Sequence, residues 1–202
     1  MHLLYSRFFM RVLRDMGLVE TGEPFKRLFN QGAILGPDGF RMSKSKGNVV
    51  NPDDYVGTIG ADAVRCYLMF IGPWDQGGPW NPNGIGGVTR FLNRVWALST
   101  ESQESKGNGA DARLLRAVHQ AIRDVTDDQE HFRFNTMLAK LMTLVNTMYE
   151  VRTQTSAAAW REAVKSLLLL LAPSAPHLTE EIWTNELGLP YSIHQQSWPT
   201  FN

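Results

Sequence analysis

Arg41-Met42-Ser43-Lys44-Ser45-Lys46-Gly47-Asn48-Val49-Val50 is the stretch on which the reading of the fold turns. It gathers three basic side chains, two hydroxyls and a glycine into one short segment of the size of a polyphosphate. Gly36-Pro37-Asp38-Gly39 ahead of it is a dense turn signal. Asn51-Pro52-Asp53-Asp54 behind it predicts a helix start, with Asn51 as N-cap, Pro52 at the first helical position and the two aspartates favouring the helix N-terminus. The basic run therefore belongs to a loop, and Asp53 and Asp54 are poor candidates for a catalytic carboxylate pair. Phosphoryl and nucleotidyl transfer depends mainly on positioning and on cations and donors aimed at the phosphate oxygens. Lys44 and Lys46 are point charges, Ser43 and Ser45 are hydroxyl donors, and Gly47 allows close approach of backbone. No Gly-x-x-x-x-Gly-Lys-Ser/Thr pattern occurs, so this is not a Walker loop; a mobile loop that closes on phosphates in the transition state is the expectation.

Composition narrows the classes. With 202 residues and 43% hydrophobic side chains the chain can bury a substantial core in one or two domains. Its longest apolar run, 167–172, is too short to cross a bilayer, and the N-terminus has no signal-peptide pattern, so the expectation is a cytoplasmic protein without a membrane partner. The single cysteine, Cys66, has no Cys or His at metal-ligand spacing and is expected in the core. Net charge is zero, but residues 1–50 carry eight basic against four acidic groups, and residues 51–202 twelve against sixteen. A polyanion near the N-terminal part fits this balance, while a strongly basic nucleic-acid domain is excluded.

Periodicity predicts a mainly α chain. Leu3, Leu4, Phe8, Val12 and Leu13 recur at helical spacing before Gly17, giving a helix over 2–16. Residues 28–35 predict a short strand, one of only one or two in the chain. A helix from Gly60 to about Gly72 is followed by irregular structure over 73–87, anchored by Trp74 and Trp80, and by a helix from Val88 to about Ser99. The polar stretch 101–109 is the clearest boundary. Beyond it, helices carrying Leu114/Val118, Met137/Leu141/Val145, Trp160/Leu167 and Leu178/Ile182 predict a four-helix bundle of antiparallel helices. Ser174 is the expected N-cap of the last one, with Pro176 in its first turn. The Met and Phe stripe over 132–148 reads as core, His177 as structural, and 191–202 as a tail without a closing element.

The decade at 41–50 resembles the Lys-Met-Ser-Lys-Ser signature of class I aminoacyl-tRNA synthetases, with Arg41 in the first place and the family's Lys-Gly-Asn-Val-Val-x-Pro-Asp-Asp continuation. The resemblance runs on in order through His2 to Phe8, Glu23 to Gly32, Gly60 to Arg65, Phe91 to Trp96, Phe134 to Thr136 and Leu171 to Leu178. It covers essentially the whole chain, and the His-Leu-Leu-Tyr start and Asn30-Gln31-Gly32 favour the leucyl-tRNA synthetase branch over the isoleucyl and valyl ones. The resemblance implies a remnant of a Rossmann-type catalytic domain over 1–72, a connector over 73–109, a helical anticodon-binding-type, tRNA-binding bundle over 110–189, and a tail over 190–202 leading to an absent C-terminal domain.

By the same resemblance, Lys44 is the catalytic residue that stabilises pyrophosphate as leucine attacks ATP. Arg41, Met42, Ser43 and Ser45 would shape the ATP site with it. His2 would lie beside the amino-acid pocket, although a lone histidine on a helix reads equally as structural. ATP enters as a substrate with Mg2+, with no tightly bound cofactor, and the partners implied are tRNA(Leu), leucine and the missing N-terminal half, which would carry the His-Ile-Gly-His motif and most of the parallel strands. The chain is thus expected to be an interior-to-C-terminal piece of leucine–tRNA ligase, inactive alone. A noncatalytic tRNA-binding module, an inert remnant and an isoleucyl- or valyl-type segment are the alternatives left open.

Overall fold

The computed structural model describes residues 2–101 and 107–201; residues 102–106 of the expected boundary lie outside the described residues. The chain divides into two compact units, 1–31 and 32–202.

The first unit is built on helix α1, His2–Asp15, close to the expected extent. Arg7 forks onto Glu23 with donor distances of 2.8 and 2.7 Å, and Arg11 adds a bond at 3.2 Å. The Arg7 hydrogen bond holds the Glu23 carboxyl down at about 2, far below the ordinary carboxylate range. Both partners are solvent-exposed, so this pair orders the unit more than it stabilises it.

The second unit begins with strand β1, Ala33–Leu35. It pairs in parallel with strand β2, Gly77–Pro79, in the register Ala33↔Gly77, Ile34↔Gly78 and Leu35↔Pro79. The strand expected over 28–35 is thus confined to the residues that face a partner. Its partner falls inside the segment expected to be irregular, because Gly, Gly and Pro are the residues strands disfavour. Here Gly77 is required by crowding: a Cβ there would lie 2.2 Å from the Ala33 carbonyl oxygen.

Helix α2, Pro52–Ile59, starts as expected, with the Asn51 side chain accepting from the Asp53 N–H at 3.3 Å and Pro52 in its first turn. Helix α3, Ala61–Phe70, follows after Gly60. Helix α4, Ile85–Thr100, begins three residues before the expected Val88. Gly86 and Gly87 conceal that start, but burial of Ile85 fixes it. Helices α5, Asp111–Glu130, α6, Phe134–Val151, and α7, Ala157–Leu171, pack on one another, and a short α8, Pro176–Glu181, continues as one π-helical turn to Glu186.

One hydrophobic core runs from Ala63 to Ile193. Met137, Leu138, Leu141, Val145 and Met148 are fully buried in it, as is Cys66. Trp80 is wedged between Tyr55 and Tyr67, both ring pairs edge-on with centroids 4.9 Å apart. Trp74, only half-buried, meets Phe134 edge-on at 5.1 Å.

Two expectations at the C-terminal side need correction. Ser174 is not the N-cap of α8; that position is Ala175, which has no capping side chain. The cap comes from α3, where the Asp62 carboxylate accepts the Leu178 N–H at 2.6 Å. Arg65, one turn on, donates to the carbonyls of Pro173 and Ser174 at 3.0 and 3.4 Å. The tail is also less free than its pattern suggests. Ser192 and Ile193 donate to the Glu180 carboxylate, and the Trp198 indole N–H donates to Thr126 Oγ1 at 2.8 Å.

Candidate functional site

The basic segment follows directly from the turn after β1. Gly36 N–H donates to the Phe40 carbonyl at 2.8 Å, and an antiparallel bridge joins Leu35 to Arg41. The chain thus leaves the sheet, reverses and returns along it, which delivers Arg41 to the root of the loop. Met42 and Val50 pack against the core and fix the two ends. Between them, Lys44–Lys46 form a single 3-10 turn, closed by Lys46 N–H to the Ser43 carbonyl at 3.1 Å and Gly47 N–H to the Lys44 carbonyl at 3.3 Å.

Arg41, Lys44, Ser45 and Lys46 are exposed, and Met42 and Ser43 are half-buried. Ser43 Oγ and Ser45 Oγ lie 2.7 Å apart in a mutual hydrogen bond. Lys46 Nζ rests over the Phe40 ring, 5.5 Å from its centroid. Lys44 makes no ion pair among the described residues, and its ammonium at the tip of the turn is open to solvent. Gly47 also has a conformational role within the turn. It adopts φ +66° with open space around its Cβ position, so it closes the turn in a left-handed conformation.

Two residues that sequence reasoning passed over organise the root. Asn48 uses both ends of its carboxamide: Oδ1 accepts Ser43 N–H at 2.8 Å, and Nδ2 donates to both Asp38 carboxylate oxygens at 2.9 and 3.2 Å and to the Arg41 carbonyl at 3.3 Å. Asp38 also accepts the Phe40 N–H at 3.1 Å. That backbone bond, outweighing partial burial and joined by the Asn48 amide and the Lys46 charge, holds the Asp38 carboxyl below its ordinary value. Gly36 leaves room for the pair, since a Cβ there would come within 2.7 Å of Asp38 Oδ1. The signal was available: an Asp in a Gly-Pro-Asp-Gly turn favours local side-chain bonds to backbone.

His2 opens α1, but its side chain lies outside the described residues. The loop therefore brings Arg41, Met42, Ser43, Lys44 and Ser45 into one segment of about one helical turn. Chemically it presents an exposed ammonium, a guanidinium at its root and two hydroxyls, a set suited to oxyanions.

Comparisons with known proteins bear on this geometry. The tRNA synthetases class I (I, L, M and V) family matches residues 5–76, and the anticodon-binding domain of tRNA ligase matches residues 111–202. A leucine–tRNA ligase of Rubrobacter xylanophilus is 54% identical over 202 residues, and one of Dehalococcoides mccartyi strain BAV1 is 52% identical over 206 residues, each match covering all of this chain. The chain is a homologue of the leucine–tRNA ligases along its whole length. It spans a quarter of the length of these relatives. A solved leucyl-tRNA synthetase homologue, the LeuRS of Agrobacterium radiobacter K84 in a ternary complex with tRNA and LeuAMS, superposes with a TM-score of 0.84 at 36% identity, covering all of this chain and 28% of that one. A methionyl-tRNA synthetase of Mycobacterium tuberculosis in complex with methionyl-adenylate matches 91% of this chain and 42% of its own, with a TM-score of 0.64. At 20% identity it shows the shared fold alone. The mainly helical architecture, with one small parallel sheet at its start, is that of a class I synthetase segment followed by an anticodon-binding module.

Proposed function

We propose that this chain contributes the phosphate-facing loop and the tRNA-binding helical module to leucine–tRNA ligase. The observation that carries the reading is identity of about half to leucine–tRNA ligases, in matches that cover all of this chain and so take in both the loop and the helical module. In the activation step the leucine carboxylate attacks the α-phosphorus of ATP, the bond to the bridging oxygen breaks, and pyrophosphate leaves as leucyl-adenylate forms. Negative charge accumulates on the departing pyrophosphate, and the Lys44 ammonium, which makes no ion pair among the described residues, meets it from the loop tip. Arg41, Met42, Ser43 and Ser45 line the ATP site around it, with the Ser43 and Ser45 hydroxyls turning from each other to the phosphates. His2 lines the leucine pocket.

The helical module, α5 to α8, receives tRNA(Leu) by shape, with local contacts to backbone phosphates and 2′-hydroxyls and no need of a strongly basic face. Mg2+ is expected with ATP. The described residues hold no group of three or more His, Cys, Asp or Glu fit to bind a metal, so no step of the proposal runs through the ion. No helix among the described residues is long and apolar enough to cross a membrane, and a cytoplasmic site of action beside the tRNA pool follows from the proposed role.

Leucine-dependent ATP–pyrophosphate exchange tests the reading. The 202-residue polypeptide alone should show none, and it should gain activity when mixed with a polypeptide supplying the rest of the synthetase. In the complete enzyme, Lys44→Ala should slow exchange by roughly 100-fold or more, the scale of losing one preorganised charge contact in a transition state, while tRNA(Leu) retention on filters stays within about twofold. A Lys44→Ala enzyme that exchanges normally but loses tRNA would overturn the assignment.

A further inference from the structure

We infer that Asp38 and Asn48 act as a latch that positions the phosphate loop. Among the described residues, Asn48 is the side chain whose hydrogen bonds tie the outgoing end of the loop to the incoming one, through Ser43 N–H, the Arg41 carbonyl and the Asp38 carboxylate. Among the described residues, the hydrogen bonds of 43–47 are otherwise internal to the loop, and the one further tether is the Lys46 ammonium over Phe40. The loop is therefore a short exposed tip on a root closed by one carboxamide. A primary amide alone can accept from a backbone N–H and donate to a carbonyl and a carboxylate together, and this is the combination the root requires.

The carboxylate makes the latch strong. Its bonds to Asn48 Nδ2 are charge-assisted, and the Phe40 N–H, bonded to the same carboxylate, fixes where that carboxylate sits. Closure places Ser43 at the start of the 3-10 turn, which in turn aims Lys44 outward one residue later. Opening would free the turn from its root, and Lys44 would sweep a volume instead of occupying one direction. Asp38 and Asn48 are thus positioning residues, acting on phosphate through Ser43 and Lys44 and touching no substrate themselves.

The inference rests on the proposed role of the loop for its catalytic part, and the test separates the two. Trypsin cuts after Lys44 and Lys46, and cutting in a latched loop follows the population of the open state. In the 202-residue chain, Asn48→Asp sets two carboxylates against each other and should raise cleavage at these sites by about tenfold or more. The exchange variant D38N/N48D restores a donor facing a carboxylate and keeps an acceptor for Ser43 N–H but leaves the Arg41 carbonyl without its donor, so it should bring cleavage well below that of Asn48→Asp without reaching the parent. In the complete synthetase, Asn48→Asp should lower kcat for ATP–pyrophosphate exchange with the leucine KM unmoved, and D38N/N48D should recover part of the loss. Equal cleavage in parent and Asn48→Asp would overturn the latch. Failure of D38N/N48D to rescue either readout would also overturn it, as would restored cleavage with unrestored kcat. A complete parent enzyme with no exchange activity would instead sink the proposed function and leave the proteolysis result standing.

Discussion

Replacing Asp62 by Ala removes the acceptor for the N–H of Leu178, the third residue of α8. The bond is short, 2.6 Å, and Asp62 is only 7% exposed, so water cannot take its place. Loss of a capping acceptor costs about 0.5–2 kcal/mol, and an ionised acceptor in a dry site lies at the top of that range. Against this, Asp62 Oδ1 has no hydrogen-bond partner among the described residues, so removing the carboxylate also relieves a desolvated oxygen. The net expectation is about 1.5 kcal/mol, which for a chain of this size lowers Tm by about 3–6 °C. Asp62→Asn retains a carbonyl acceptor and should cost less than half as much. Differential scanning calorimetry gives the shift, and amide exchange at Leu178 should accelerate in Asp62→Ala more than exchange at Val118 in the middle of α5. A Tm within 1 °C of the parent, or Asp62→Asn as damaging as Asp62→Ala, would refute the account of α8 as a helix capped from α3.

Asp128, 1% exposed, is paired with Arg133 Nε at 2.8 Å and Lys140 Nζ at 2.6 Å. Burial pushes its carboxyl up, but the Lys140 and Arg133 contacts win and hold it below the ordinary value, so its stabilisation is present above the unfolded-state carboxylate value and disappears as pH falls through the lower folded one. Asp128→Asn should therefore cost about 3 kcal/mol at pH 7 by urea unfolding, with the gap to the parent shrinking below about pH 4; a pH-independent gap would contradict the sign. Burial, reinforced by the Asp62 charge and opposed by Arg65, pushes the Cys66 thiol up to about 12. Iodoacetamide at pH 8 should leave the folded chain unlabelled and label it fully in denaturant; labelling of the native chain at the rate of a free thiol would refute a core position for Cys66.

The helical pattern was legible because burial and period coincide: Leu114, Val118 and Ile122, then Met137, Leu141 and Val145, are all buried on one side of their helices. The start of α2 was legible from Asn51 and Pro52, where local chemistry decides the structure. What escaped was set by distant partners. Strand β2 is Gly-Gly-Pro, and it lies so close to β1 that a side chain at Gly77 would clash with the Ala33 carbonyl, a requirement of the pairing that no propensity encodes. The cap of α8 comes from a residue 116 positions away, so the nearby Ser174 was the natural but wrong choice. In the loop, Lys44 and its neighbours were legible as an oxyanion-binding set, whereas the roles of Asp38 and Asn48 depended on a reversal that brings residues ten positions apart within 2.9 Å.

The Asp62 and Arg65 contacts also bear on how the loop and the helical module are joined. Gly60 to Arg65 and Leu171 to Leu178 form one structural joint, with Asp62 capping α8 and Arg65 holding the carbonyls that precede it. Helix α3 packs on α2, α4, α6 and α8, and Arg94 of α4 donates to Asn146 Oδ1 at 2.8 Å while lying 4.6 Å over the Tyr149 ring of α6. The root of the loop, at Val50 and Asn51, is thereby anchored to the same core as the module that follows residue 110. The tip, 43–47, has no hydrogen bond to that module among the described residues. An influence of an occupied helical module on the loop has two contiguous routes, through α3 and α2 to Val50 and Asn51 or through the Phe134–Trp74 contact and the β2–β1 pair to Arg41, and both meet the loop at the root that the Asp38–Asn48 pair closes.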